Sequence, residues 1–119
     1  MFYFMANIHT YPDQIRDYCS NDPFGNFVVI PPKVQDLSRN LFSMEFSYDD
    51  ALEAISDPVF ILDMLDEEVS FYYFRKIVGE DSILVGAMRT EDHFEVCICQ
   101  INPTTAQLST LFKKAKQIH

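Results

Sequence analysis

Nine carboxylates crowd one stretch of this chain: Glu45, Asp49, Asp50, Glu53, Asp57, Asp63, Asp66, Glu67 and Glu68. They are half of its 18 acidic residues, and no Lys or Arg interrupts them anywhere from Asn40 to Phe74. Acid–base catalysis by a carboxylate pair needs two of them converging in a pocket, and the spacing does not supply that. An acidic surface that docks a basic partner and speeds its encounter needs only exposure. Asp49, Asp50, Glu53, Asp63, Asp66, Glu67 and Glu68 are the residues such a surface would use, against the plainer reading of a solvated face.

His93, Glu95, Cys97 and Cys99 alternate along one predicted strand and so would share a face, like a row of metal ligands. A strand rises about 3.3 Å per residue, so the row is too long for its ends to meet one ion. Zinc ligands converge to about 2.0–2.3 Å, and no CxxC or HxxxH completes a shell elsewhere, so no metal is expected. No Gly-x-Ser-x-Gly elbow is present, and three glycines do not make a phosphate-cradling loop. No cofactor is expected. His9, His93 and His119 read as surface histidines at segment edges. Arg75, Lys76, Arg89, Lys113, Lys114 and Lys116 would form a positive site only if strand ends and a closing helix bring them together.

With 119 residues, 48% hydrophobic and 14% aromatic, the chain is expected to form a single domain with a real core. Its net charge of −9 repels a phosphate backbone unless cations are gathered at one place. The chain shows no apolar run of the roughly 18 residues that a membrane span needs. Its opening lacks the pattern of a secretory signal. A cytoplasmic protein with no membrane contact is the expectation, and three cysteines read as reduced thiols fit it.

The elements follow from pattern. Val69–Val78, Ile83–Met88 and His93–Ile101 are rich in aromatic and β-branched residues and separated by short polar breaks, which predicts an antiparallel meander. Both faces of these runs are apolar, so the sheet should be covered on each side. Val59–Leu62 is expected to be its first strand, making four. Before it, Ser47 opens a helix that Asp57-Pro58 stops. Further upstream, residues 1–46 form a helical segment, with one helix from Thr10 to about Ser20 and another from Pro32, and a short strand at Phe27–Ile30. After the meander, Thr104 and Gln107 make a capping box for a closing helix. Leu108, Leu111, Phe112, Ala115 and Ile118 form its apolar stripe. The fold class is α+β: N-terminal helices on a mostly antiparallel four-stranded sheet, closed by a C-terminal helix.

The succession "ALEAISDP", "FYYFRKI", "ILVGAMRT", "HFEVCICQI" and "NPTT" resembles the barnase/colicin/RelE-like RNase superfamily, most of all its phage-associated and toxin-like members. The resemblance covers about residues 47–118. It implies a helix-plus-sheet fold and metal-independent RNA cleavage, with Arg75, Lys76 and, as the looser match, Thr104 or Thr105 as the matching catalytic positions. The helix region "EFSYDDAL" departs from the family in carrying no histidine, and the last strand lacks its threonine–tyrosine pair. The leading functional expectation is therefore an acidic protein-binding or inhibitory module, in the manner of an antitoxin or immunity protein. The alternatives are a RelE-like RNase, and a structural homodimer paired through the aromatic strand "FYYF".

Overall fold

A computed structural model of the chain describes residues 19–31, 48–65 and 67–119. Among these described residues, seven strands and two helices follow in order: β1 Cys19–Asn21, β2 Phe27–Val29, α1 Tyr48–Ser56, β3 Phe60–Asp63, β4 Phe71–Lys76, β5 Ser82–Arg89, β6 Phe94–Ile101, α2 Thr105–Lys114 and β7 Lys116–Gln117. All strands belong to one sheet in the order β1-β2-β6-β5-β4-β3-β7. The predicted meander is its centre, β3 to β6, antiparallel throughout. The expectation of four strands is corrected to seven. The β1–β2 hairpin adds through a parallel pairing of β2 with β6, and β7 adds beside β3.

Two further corrections concern the chain's ends. Cys19 and Ser20, placed by pattern at the end of a helix, lie in β1. The rest of that helix, and the one expected from Pro32, lie outside the described residues. Downstream, α2 begins where the capping box predicts: Gln107 N–H donates to Thr104 Oγ1 at 3.1 Å and Thr104 N–H to Gln107 Oε1 at 2.8 Å. It stops at Lys114, however, and the chain straightens into β7. Ile118 therefore leaves the helical stripe and packs with the core on the opposite side of the sheet from Leu108 and Leu111.

Strand alternation sorts side chains onto two faces. Ile61, Phe71, Tyr73, Ile83, Val85, Ala87, Phe94 and Val96 join Ala51, Ala54 and Ile55 of α1 in the larger core. Leu62, Tyr72, Phe74 and Leu84 face the other way, toward Leu108 and Leu111 of α2. The sheet curls toward α1. Asp22, in the edge hairpin, accepts a hydrogen bond from the hydroxyl of Tyr73 on β4 at 2.7 Å. Phe24, beside it, meets the His119 ring beyond the opposite edge strand, with centroids 6.3 Å apart.

One irregularity decides where the cysteines point. Gly86 pairs with Ile98 but Ala87 pairs with Val96, so β6 carries an extra residue, Cys97. The bulge breaks the alternation on which the row His93, Glu95, Cys97, Cys99 rested. Cys99 enters the α1 core, whereas Cys97 lies by Tyr72 and Glu68 on the α2 side. The two thiols do not share a face.

Candidate functional site

α1 presents a row of carboxylates on its outer side because its inner side is spent on the core. Ala51, Ala54 and Ile55 are fully buried, and Asp49, Glu53 and Asp57, four residues apart in turn, are exposed. Asp49 and Asp50 also occupy the first turn, where negative charge suits the helix dipole. Arg75 of β4 reaches up to the other end. Its Nη1 donates to the Asp57 carbonyl at 2.7 Å and to Asp57 Oδ2 at 3.0 Å. Its Nε is buried without a hydrogen-bond acceptor, and Glu53 Oε1 stands 3.5 Å away as an ion-pair partner. The side chains of Glu53 and Asp57 are still 57% and 79% exposed, so Arg75 holds the row without covering it.

The other expected acidic residues are placed elsewhere. Asp50 is half-buried on α1. Asp63 ends β3 and accepts a hydrogen bond from Leu65 N–H at 2.9 Å, holding a turn in which Leu65 takes a φ of 60°. Glu67 and Glu68 lie across the sheet, on the α2 side, where Glu67 pairs with Lys114 at 3.7 Å. Asp66 lies outside the described residues. The acidic stretch is thus divided by the sheet.

The basic residues are not gathered either. In the β4–β5 register Arg75 and Lys76 stand opposite Ile83 and Ser82, while Arg89 lies beyond Ala87 at the far end. Thr104 is committed to capping α2. Arg75, Lys76 and Thr104, the positions implied by the family resemblance, lie at the same end of the sheet: Ile83 pairs with both Arg75 and Ile101, and Asn102 N–H donates to the carbonyl of Ser82, the partner of Lys76. The aromatic strand "FYYF" is internal in the sheet and Phe71, Tyr72, Tyr73 and Phe74 are all buried, so it forms neither an edge nor a bare face.

His93 departs most from its sequence reading as a surface histidine. Its side chain is only 6% exposed. Nδ1 lies 2.7 Å from Asp92 Oδ1 and 3.0 Å from Thr90 Oγ1, and Nε2 lies 3.2 Å from Glu95 Oε2. The Thr90 hydroxyl also donates to the His93 carbonyl at 2.8 Å, closing the β5–β6 turn. Each ring nitrogen thus has a carboxylate oxygen within hydrogen-bond distance. Thr90, Asp92 and His93 line a cavity of about 300 Å³ together with Arg89 of β5 and with Gly25 and Asn26 of the neighbouring hairpin. The Arg89 guanidinium carbon sits 5.1 Å from the centre of the Phe94 ring. The signal in the sequence was Thr90-x-Asp92-His93-x-Glu95, a turn residue and two acids around one imidazole.

Among the described residues, no three His, Cys, Asp or Glu side chains are placed to hold a metal ion. No described helix is long and apolar enough to cross a membrane. Compared with protein-family models, with curated proteins and with solved structures, the chain gives no significant match.

Proposed function

We propose that the chain is a small acidic binding module that docks a basic protein partner on the outer side of α1. The observation that carries this reading is the row Asp49 and Glu53, exposed on a helix whose inner side buries Ala51, Ala54 and Ile55, continued by Asp57 just past its end. Such a helix holds its charges in a fixed register. Exposed carboxylates on a chain of net charge −9 accelerate encounter with a cationic surface and repel anionic competitors. The test is partner capture from the native cell by the wild type, followed by association rates for that purified partner. Asp49→Lys with Glu53→Lys should slow association by about tenfold or more at low salt and flatten its salt dependence. A partner that associates equally fast with wild type and variant removes this reading.

A second reading, a metal-independent endoribonuclease, is favoured by the His93 group: a buried imidazole between Asp92 and Glu95, beside Arg89. Glu95 or His93 would take the proton of a ribose 2′-hydroxyl and the other would supply one to the leaving oxygen, with Arg89 offsetting the phosphorane charge. Purified chain incubated with total RNA in EDTA tests it. Cleavage lost in both His93→Gln and Glu95→Gln favours the nuclease. Cleavage lost instead in Arg75→Ala, Lys76→Ala and Thr104→Ala would put the chemistry at the positions implied by the family resemblance.

A further inference from the structure

We propose that the cavity on the α2 side of the sheet binds a small organic cation, an ammonium carried on an apolar, aryl-bearing stem. The site is independent of the α1 docking surface, since the sheet lies between them. The cavity encloses about 390 Å³, within the size range of small-molecule sites. Met64, Val69 and Leu111 supply apolar walls, Tyr72 an aromatic one, and Glu67 and Glu68 carboxylates. Lys114 also lines this half-open cavity and pairs with Glu67; an aromatic ring, apolar walls and the second carboxylate, Glu68, suit an organic ammonium better than a neutral or anionic molecule.

Three further observations converge on a cation. Glu67 already draws an ammonium: Lys114 Nζ stands 3.7 Å from its Oε1, beyond hydrogen-bond length, with both side chains more than half exposed. Among the described residues no cation is in ion-pair contact with Glu68, so one carboxylate of the lining is left over. The field of these acids also reaches inward. The Tyr72 hydroxyl is pushed above its usual range by burial, then by Cys97 and Glu67, and the Cys97 thiol by burial and then by Glu68. Burial, the larger cause, disfavours charge of either sign, and the smaller contributions of Glu67 and Glu68 are the part that favours a positive one.

Gly86 lets two of the cavity's walls, Tyr72 and Val69, pack close against β5. A Cβ there would stand 2.8 Å from Tyr72 Cε1 and 3.2 Å from Val69 Cγ1, so the ring and the valine occupy the volume a side chain would need. Any larger residue at 86 would drive Tyr72 and Val69, both cavity-lining, out of their places.

Calorimetric titration of the full chain with 2-phenylethylammonium, and with the uncharged 2-phenylethanol, tests the assignment. Saturable binding of the ammonium is expected, with the alcohol and the Glu68→Gln variant each about tenfold weaker, the size of one charge-assisted contact. Lys114→Gln should tighten binding, because it removes the resident competitor for Glu67. Leu111→Phe should weaken it by filling the cavity, while Asp49→Lys with Glu53→Lys should leave it unchanged. Glu68 and Lys114 are exposed, so both substitutions leave the fold intact. Absence of saturable heat at millimolar ammonium in both wild type and Lys114→Gln would overturn the proposal. So would equal affinity for the alcohol, or wild-type affinity in both Glu68→Gln and Leu111→Phe.

Discussion

The two helices of the described residues lie on opposite faces of one sheet and are held in different ways. On the α1 side, Ala51, Ala54 and Ile55 are fully buried, and small alanines let the helix sit close to β4 and β5. The sheet curls toward this side, so residues from distant strands converge on the helix. On the other side α2 has no buried residue at all. Leu108 and Leu111 are half-buried, and Phe112, though 5.0 Å from Phe60 between ring centres, stays 40% exposed. A curled sheet fills its inner side and leaves its outer side open. The α1 side is therefore where stability is concentrated, and the α2 side is where a cavity persists.

The contrast is most directly broken at Ile55. Truncation to Ala should cost about 2–5 kcal/mol by denaturant titration, because the surrounding residues close only partly over the missing atoms. A cost below about 1 kcal/mol would mean that α1 is a cover and not the keystone of the core. Asp22 comes next. It is buried and accepts four hydrogen bonds: from Phe24 N and Asn26 N at 2.9 Å, from Asn26 Nδ2 at 2.8 Å and from Tyr73 Oη at 2.7 Å. Asp22→Ala should cost about 3 kcal/mol, since it strands buried donors and releases the edge hairpin from the α1 side. Tyr73→Phe should cost less, because only one donor is lost.

The same side gives a signature in alkali. Burial, and then Asp50, pushes the Cys99 thiol from 9.0 up to about 12. Burial, and then the hydrogen bond to Asp22, raises Tyr73 above its ordinary 10.0. Above the ordinary values the unfolded chain gives up these protons while the folded chain keeps them. Stability is therefore complete below pH 9 and falls as pH rises, by about 1.4 kcal/mol per pH unit for each group. Cys99→Ala should lessen the fall between pH 9 and 10, before Tyr73 contributes, and leave the part that the raised Cys97 thiol supplies. An unchanged slope would show that Cys99 is not held in its protonated form. On the α2 side, Leu111→Ala should cost only about 1–2 kcal/mol and Phe112→Ala less, in proportion to the apolar area each covers. A Leu111 cost matching that of Ile55 would erase the distinction between the faces.

Much of this architecture is legible in the chain because local chemistry and tertiary packing agree there. The four central strands, the Asp57-Pro58 stop after α1 and the Thr104–Gln107 capping box were each marked by residues that act on their own neighbourhood. What escaped depends on contacts remote in sequence. Lys116–Gln117 carries no strand signal and becomes β7 only because β3 offers an open edge. The bulge at Cys97 inverts the face of every residue on one side of it, and nothing in "VCIC" announces an extra residue. The candidate site fared likewise. Exposure of Asp49 and Glu53 follows from helical period, but the separation of Glu67 and Glu68 from them depends on which face each segment meets. His93 read as a surface histidine because its burial depends on the sheet around it, although Thr90, Asp92 and Glu95, the partners of its ring, stand beside it in the chain.

The smallest expected effect is the one that protects the functional reading. Glu53 and Asp57 pair with Arg75, and a row of charges selected for docking must be replaceable without loss of the fold. Their side chains are more than half exposed, so water competes for every contact and salt screens the attraction. Glu53→Gln and Asp57→Asn should each change stability by about 0–1 kcal/mol, with the slope of the denaturant transition unaltered. The Asp57 carbonyl, which also accepts from Arg75 at 2.7 Å, survives both substitutions and keeps the end of α1 tied to β4. A loss of about 3 kcal/mol or more in either variant would place these carboxylates in the structural frame of the α1 side, with Arg75 as a buried charge that cannot be left alone. The row would then be held by folding, and its use as a docking surface would have to be sought at Asp49, which makes no ion pair among the described residues.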